Sequence, residues 1–170
     1  MNVKQLLLYG FMFGLLSLTA CGGGGGSSSL PTTATLKLST SGTLPTGTSL
    51  AGIGITVTLP ADVTVATNAS GDVLSGGVIV SGIAAPGNAI AVYTPASGAT
   101  PATLALTMVS TAKAGFGTGE FATISCDLHN GVSPKTSDFV LSDFRPFDLG
   151  GNPVIGLTPS ELAMNIVNSF

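Results

Sequence analysis

Alternation of apolar with polar or small residues, repeated along most of the chain, constrains its fold more than any other feature. Ala34, Leu36 and Leu38 alternate with Thr35, Lys37 and Ser39. Ile53, Ile55, Val57 and Leu59 alternate with Gly54, Thr56 and Thr58. Leu104, Leu106 and Met108 alternate with Ala105 and Thr107, and Ala122, Ile124, Cys126 and Leu128 with Thr123, Ser125 and Asp127. A period of two places one class of side chain on one side of an extended chain, so each run predicts a strand with a single buried face. Val63–Ala66, Val73–Val80, Ala89–Tyr93 and Phe139–Phe144 are further strand candidates. Turn signals separate the runs: Ser41-Gly42, Pro45-Thr46-Gly47, Pro60-Ala61-Asp62, Ser70-Gly71-Asp72, Pro86-Gly87-Asn88, His129-Asn130-Gly131 and Gly150-Gly151-Asn152-Pro153. Eight or nine short strands at this spacing predict an all-β fold, a single antiparallel β-sandwich. The last segment reads two ways. Thr158-Pro159-Ser160-Glu161 has the form of a helix start with Pro at the first helical position, whereas Leu162, Met164 and Ile166 alternate as in a strand. A final strand is favoured over residues 158–168, because the preceding sheet needs closing.

The polar half of each run is mostly uncharged. The 170 residues include five Lys or Arg and eight Asp or Glu, or 8% charged, and carry a net charge of −3. An ordinary soluble domain has about 25%. Five basic residues cannot neutralise a run of phosphates, so nucleic acid is excluded as a partner. A coiled coil and a charge-rich disordered chain are excluded by the same shortage. There is one His and no Trp.

The N-terminus carries a different pattern. Lys4 precedes the apolar stretch Leu6–Leu16, and Ser17-Leu18-Thr19-Ala20 follows. A positive start with an apolar core of about 7–15 residues predicts a secretory signal, too short for a spanning helix. Leu18-Thr19-Ala20-Cys21 resembles the lipobox of bacterial lipoproteins. That resemblance implies cleavage between Ala20 and Cys21 and acylation of Cys21. Two or more acyl chains anchor a protein stably on a bilayer without spanning it. Gly22 after the Cys, rather than Asp, favours the outer membrane by analogy with well-studied bacteria. The alternative is an ordinary signal that leaves a free thiol at Cys21. The predicted organisation is therefore a signal peptide at 1–20, a lipidated Cys and Gly/Ser-rich tether at 21–31, and a sandwich domain at 32–170. Five glycines, three serines, Leu30 and Pro31 make up the tether. Its ten residues span roughly 17 Å as a flexible coil.

Three stretches of the domain resemble the cohesin-type β-sandwich, a module of bacterial surface scaffolds. They are Ile53–Val63 with its Pro-containing turn, Gly119–Leu128 where a Gly introduces alternating apolar residues, and the Asp/Gly turn Asp148–Val154. Together they bracket about 34–167. The resemblance implies a sandwich that docks another exported protein, in that family a dockerin, a small calcium-binding module. Carbohydrate-binding modules share the architecture.

Candidate chemistry is sparse. His129 in His129-Asn130-Gly131 reads as a hairpin-turn residue, with Asp127 two positions away and no nucleophile beside it. Cys126 shares the apolar parity of Ile124 and Leu128 and reads as a buried thiol behaving as a small hydrophobe. Asp138, Asp143 and Asp148, spaced by five, with Asn152, are the residues nearest in type to a calcium site; solvated edge charges that discourage strand addition are the preferred reading. Gly115-Phe116-Gly117-Thr118-Gly119 precedes a strand rather than a helix, so it reads as a flexible loop rather than a phosphate loop. Lys37 falls on the outward parity. No catalytic set and no resident cofactor are expected.

The sequence therefore predicts a non-enzymatic cell-envelope lipoprotein, held on a bilayer through acylated Cys21. Its sandwich would bind an exported protein through a sheet face rich in Thr, Ser, Ala and Gly. A carbohydrate or matrix binder is the alternative, and so is a structural subunit of a surface assembly. With Tyr93 the one Tyr after residue 20 and no Trp, a stacking platform for polysaccharide is poorly supplied.

Overall fold

The computed structural model describes residues 32–168. The predicted signal peptide, with Ala20 and Cys21, and the predicted tether to residue 31 lie outside them. The fold is an antiparallel β-sandwich of nine strands in two sheets. The strands are β1 (Thr32–Gly42), β2 (Leu50–Thr58), β3 (Val63–Thr64), β4 (Val78–Val80), β5 (Gly87–Thr94), β6 (Thr103–Ser110), β7 (Glu120–Leu128), β8 (Val140–Asp148) and β9 (Leu157–Asn168). One sheet runs β7-β1-β9, with β3 and β4 both paired to the far side of β7; the other runs β5-β6-β2-β8. The chain changes sheet at almost every connection. Only β3–β4 and the β5–β6 hairpin join strands of the same sheet.

Alternation builds the core directly. Leu36 and Leu38 of β1, Ile53 and Val57 of β2, Leu104 and Met108 of β6, and Phe121 and Ile124 of β7 are completely buried between the sheets. The intervening Thr and Ser side chains point outward. Truncating one of these large side chains to Ala costs about 2–5 kcal/mol through lost burial and the cavity left behind.

The predicted strands over Val63–Ala66 and Val73–Val80 are shorter in the structure. Continuous pairing is limited to Val63–Thr64 and Val78–Val80; Val73 and Ser75 make only isolated bridges, to Thr67 and Val78. Ser75-Gly76-Gly77 breaks the second run: Gly76 has φ 90° and the Gly77 amide bonds the Leu74 carbonyl in a turn. Asn68 Oδ1 closes the turn before it, accepting from the Ser70 and Asp72 amides at 2.8 and 3.0 Å. The turn predicted at Pro86–Asn88 comes earlier, over the 3-10 turn Gly82–Ala84, so Gly87 and Asn88 already belong to β5. The reversal at His129–Gly131 is present, with φ 53° at Asn130 and 69° at Gly131. It is not a hairpin, however, because β7 and β8 lie in different sheets. The terminal segment is a strand, β9, paired along β1. Pro159 is accommodated because β9 is an edge strand, where a missing N–H goes unused.

Gly115–Gly119 is not a free loop. The amides and carbonyls of Phe116 and Leu50 exchange two hydrogen bonds, at 2.8 and 2.9 Å, and Phe116 is buried. A Cβ on Gly115 would stand 2.4 Å from the Leu50 carbonyl oxygen. Glycine there lets the backbone approach closely enough for Phe116 to plug that end of the core.

Candidate functional site

The outer face of the β5-β6-β2-β8 sheet is a regular grid. The register aligns Asn88, Val109, Gly52 and Phe147 across the four strands. The next rows are Ile90, Thr107, Gly54 and Arg145, then Val92, Ala105, Thr56 and Ser142, then Thr94, Thr103, Thr58 and Val140. With strands about 4.8 Å apart and alternate residues about 6.7 Å apart, the grid is about 15 Å wide and 20 Å tall. Four large aliphatic side chains stand open on it: Ile90 is 73% exposed, Val92 60%, Val140 58% and Val109 43%. The remaining positions are mostly Thr, Ser, Ala or Gly. Arg145 carries the one charge in the four rows. Asp143, at a bulge in β8 with φ 52°, lies at the margin.

The other sheet is different outside. Lys37 of β1 and Glu120 of β7 pair at 2.9 Å, and Asp127 follows on β7. Hydrogen bonds from the Ser81 hydroxyl and Lys37 hold the Glu120 carboxyl below its usual range. Lys37 is outward, as its parity predicts. The β5-β6-β2-β8 face is not free of charge either: beside Arg145 and Asp143, Asp72 is bridged to Val92 at its β5 edge. Ile90 and Val92 neighbour each other on β5 with Val109 diagonal to Ile90 on β6, whereas Val140 stands apart at the far corner on β8.

The acidic residues considered for calcium are not brought together. Asp138 precedes β8 and Asp148 ends it. Eight extended steps separate the ends of that strand by about 26 Å. Asp138 accepts from the Lys135 amide at 2.8 Å and closes a 3-10 turn. Asp148 and Asn152 do share a turn, but Asp148 Oδ1 accepts from the Asn152 and Gly150 amides at 2.8 Å each, and Asn152 Nδ2 approaches both carboxylate oxygens at 3.3 Å. Those Asn152 and Gly150 donors lower the Asp148 pKa. A calcium site needs oxygens converging on the ion; here N–H donors occupy the carboxylate. Among the described residues no three His, Cys, Asp or Glu side chains cluster.

His129 reaches Thr64 rather than Asp127: its Nε2 is 2.8 Å from Thr64 Oγ1. Sequence spacing gave no sign of this pair, because β3 docks beside the turn only through its pairing with β7. Asn130 Nδ2 donates to Asp62 at 2.9 Å, and the His129 amide to the Asp62 carbonyl at 2.9 Å. These bonds tie the β7–β8 turn to the β2–β3 loop. Among the described residues no carboxylate hydrogen-bonds the other imidazole nitrogen, so the pair has no orienting acid there. Beside it opens a cleft of about 700 Å³, walled by Pro60, Tyr93, Pro95 and Pro101. Burial raises the Tyr93 phenol above its ordinary pKa.

Cys126 is 1% exposed, and burial, reinforced by the neighbouring Asp127 charge, pushes its thiol up to about 12. It stays protonated and packs as a hydrophobe. Among the described residues, no buried side-chain nitrogen or oxygen lacks a hydrogen-bond partner, and no helix is long and apolar enough to cross a membrane. Comparison with family models, curated proteins and solved structures finds no match to this chain.

Proposed function

We propose that the chain is a lipid-anchored, non-enzymatic adaptor of the bacterial cell envelope, the outer membrane favoured. Acylated Cys21 holds it on a bilayer, residues 22–31 tether it, and the outer face of the β5-β6-β2-β8 sheet binds another exported protein. The observation that carries this reading is the contrast between the two outer faces: one holds the Lys37–Glu120 ion pair, the other has no ion pair among the described residues and leaves Ile90 and Val92 open. The tether joins at Thr32, level with Leu128 and Val63 at one end of the sandwich. A domain held by that end presents its sheet faces sideways, clear of the headgroups. The face offers on the order of 300–500 Å², below the roughly 800 Å² per partner of a standard interface, so it suits a transient contact. The cohesin resemblance makes a dockerin-like module the first partner to try.

The test is capture on the immobilised chain from envelope and secreted fractions, with and without calcium. A stoichiometric protein partner that no longer binds after Val92→Asp supports the adaptor; binding of no protein overturns it. The cleft beside Tyr93, with the hydroxyl, amide and carboxylate groups of Thr64, Asn130 and Asp62 at its rim, favours a second reading as a polysaccharide binder. Retention of polysaccharide without protein, lost on Tyr93→Ala, supports that reading.

A further inference from the structure

We infer that the partner adds a strand of its own to the free edge of β5: an extended, uncharged segment whose alternate large apolar side chains enter the groove between β5 and β4. The inference rests on the adaptor reading and names how its partner attaches. A sheet edge leaves a row of unpaired N–H and C=O groups that another extended chain can take up, and proteins guard their edges with short strands, charge, proline or bulges. Of the five edges among the described residues, four are guarded in this way. β3 and β4 are two and three residues long. β8 carries Asp143, Arg145 and Pro146 and two breaks in register. β9 carries Pro159, Glu161 and one break. β5 has eight residues without charge or proline, and its pairing with β6 is unbroken. Among the described residues its cover is confined to the far end, where Asp72 bridges Val92.

The Thr111 amide donates to the Pro86 carbonyl at 2.9 Å, which sets the phase of the β5–β6 ladder. In an antiparallel pair, alternate residues bond the neighbouring strand. Asn88, Ile90 and Val92 therefore bond β6. Ala91 and Tyr93 turn toward the Asp72 bridge, and Gly87 and Ala89 turn their N–H and C=O groups to the open edge. Such groups select another extended backbone. Side chains on the same parity face inward, as the alternating burial of β5 shows. Gly87, Ala89 and Ala91, with Val73, Val78 and Val80, line a groove of about 340 Å³. A cavity of about 150 Å³ already takes a benzene-sized group, so the groove has room for two apolar side chains, and a charge placed there would be costly. A second copy of the chain does not fit this edge. Its own Gly87, Ala89 and Ala91 are too small to fill the groove, and paired edge to edge it continues the sheet and leaves Ile90 and Val92 uncovered. The open stretch is about 13 Å long and the sheets are about 10 Å apart, a contact of roughly 130 Å², against roughly 800 Å² per partner in a stable pair. A partner that lays a strand on the edge and folds over Ile90 and Val92 comes closer to that area.

The experiment is selection from a random peptide display library on the full chain in detergent micelles, with binding of the selected peptides measured by fluorescence anisotropy. The expected peptides are uncharged over about four residues, the length of the open edge, and hold large apolar residues at alternate positions. Each is then N-methylated one residue at a time and measured on the wild-type chain, which needs no variant to fold. Methylation weakens binding at least about tenfold where the N–H faces β5, through one lost hydrogen bond and a blocked approach, and leaves it unchanged at the residues between. Ala89→Pro gives the same loss. Its ring removes an N–H that bonds nothing in β6, a position that edge strands tolerate, so the variant melts as the wild type does. No enriched peptide, peptides without that alternation, or N-methyl sensitivity without a period of two overturns the inference. Self-association of the chain abolished by Ala89→Pro also overturns it, assigning the edge to a second copy. A protein partner lost on Val92→Asp but retained by Ala89→Pro overturns the strand addition alone and leaves the adaptor standing.

Discussion

Gly52 and Gly54 lie two residues apart on one face of β2, and adding one methyl group to each should move stability in opposite directions. At Gly54 the new Cβ enters ordinary van der Waals contact at 3.9 Å and pushes nothing aside. Gly54→Ala then loses only the excess freedom of glycine in the unfolded chain, a stabilisation of about 0.5–1 kcal/mol. That corresponds to a rise in melting temperature of roughly 2–4 °C for a domain of this size. At Gly52 the methyl would meet the Phe147 ring at 2.3 Å and a backbone carbonyl of β6 at 2.4 Å. The ring can swing out; the carbonyl is held in the sheet. Forcing an extra methyl into such a place costs about 1–3 kcal/mol. Urea unfolding followed by far-UV circular dichroism measures both. The reasoning is refuted if Gly54→Ala destabilises by more than about 0.5 kcal/mol or if Gly52→Ala is neutral, since either result would mean that the spaces around the two glycines are not as described.

Other consequences are directly measurable. Phe121, completely buried between the sheets, should cost about 3–5 kcal/mol when cut to Ala, read from the same urea transition. Gly115→Ala should destabilise as well, because its Cβ would meet the Leu50 carbonyl oxygen at 2.4 Å; loss of amide protection at Leu50 and Phe116 in hydrogen exchange would show it. Iodoacetamide at pH 8 should leave Cys126 unmodified in the native chain and label it in urea, read by mass of the Cys126 peptide, since burial keeps the thiol protonated and covered. Glu120 has its pKa lowered by folding through Ser81 and Lys37, so its contribution to stability is present above the ordinary carboxylate pKa of about 4.3 and fades as pH falls below it. Glu120→Gln should flatten that acid limb of the stability curve relative to wild type, and an unchanged limb would remove Glu120 from the account.

Much of the fold was legible because alternation is a local signal. β6, Ile53–Thr58 of β2 and Ala122–Leu128 of β7 keep an alternating apolar-polar register, and all three are strands in the structure as read. The failures come from competing local chemistry or from topology. Val73–Val80 has strand composition, but Ser75-Gly76-Gly77 turns the chain inside it. Thr158-Pro159-Ser160-Glu161 offers a helix start that loses to eleven residues of pairing with β1. His129–Gly131 reverses the chain as read, yet no local feature says that the next strand joins the other sheet. The polar Thr and Ser positions of each strand could be named, but their assembly into one face depends on β2 lying between β6 and β8, a long-range choice. The same limit applied to Asp138 and Asp148. A spacing of ten residues says nothing about distance until the segment between them is known to be extended, and it is. The Thr64–His129 pair was invisible for the same reason. Cys21, Ala20 and the tether rest on the sequence alone.

The central claim is that the outer face of the β5-β6-β2-β8 sheet is a protein-docking surface. Its most direct test compares one charge placed on each outer face. Val92→Asp puts a carboxylate among Ile90, Ala105 and Thr56; Thr35→Asp puts one on the opposite, already charged sheet. Both chains are immobilised at equal density and exposed to the same envelope and secreted fractions, with circular dichroism confirming equal folding. The expected result is a protein partner retained stoichiometrically by wild type and Thr35→Asp and lost by Val92→Asp. Equal retention by all three, or no protein retained by any, would contradict the claim.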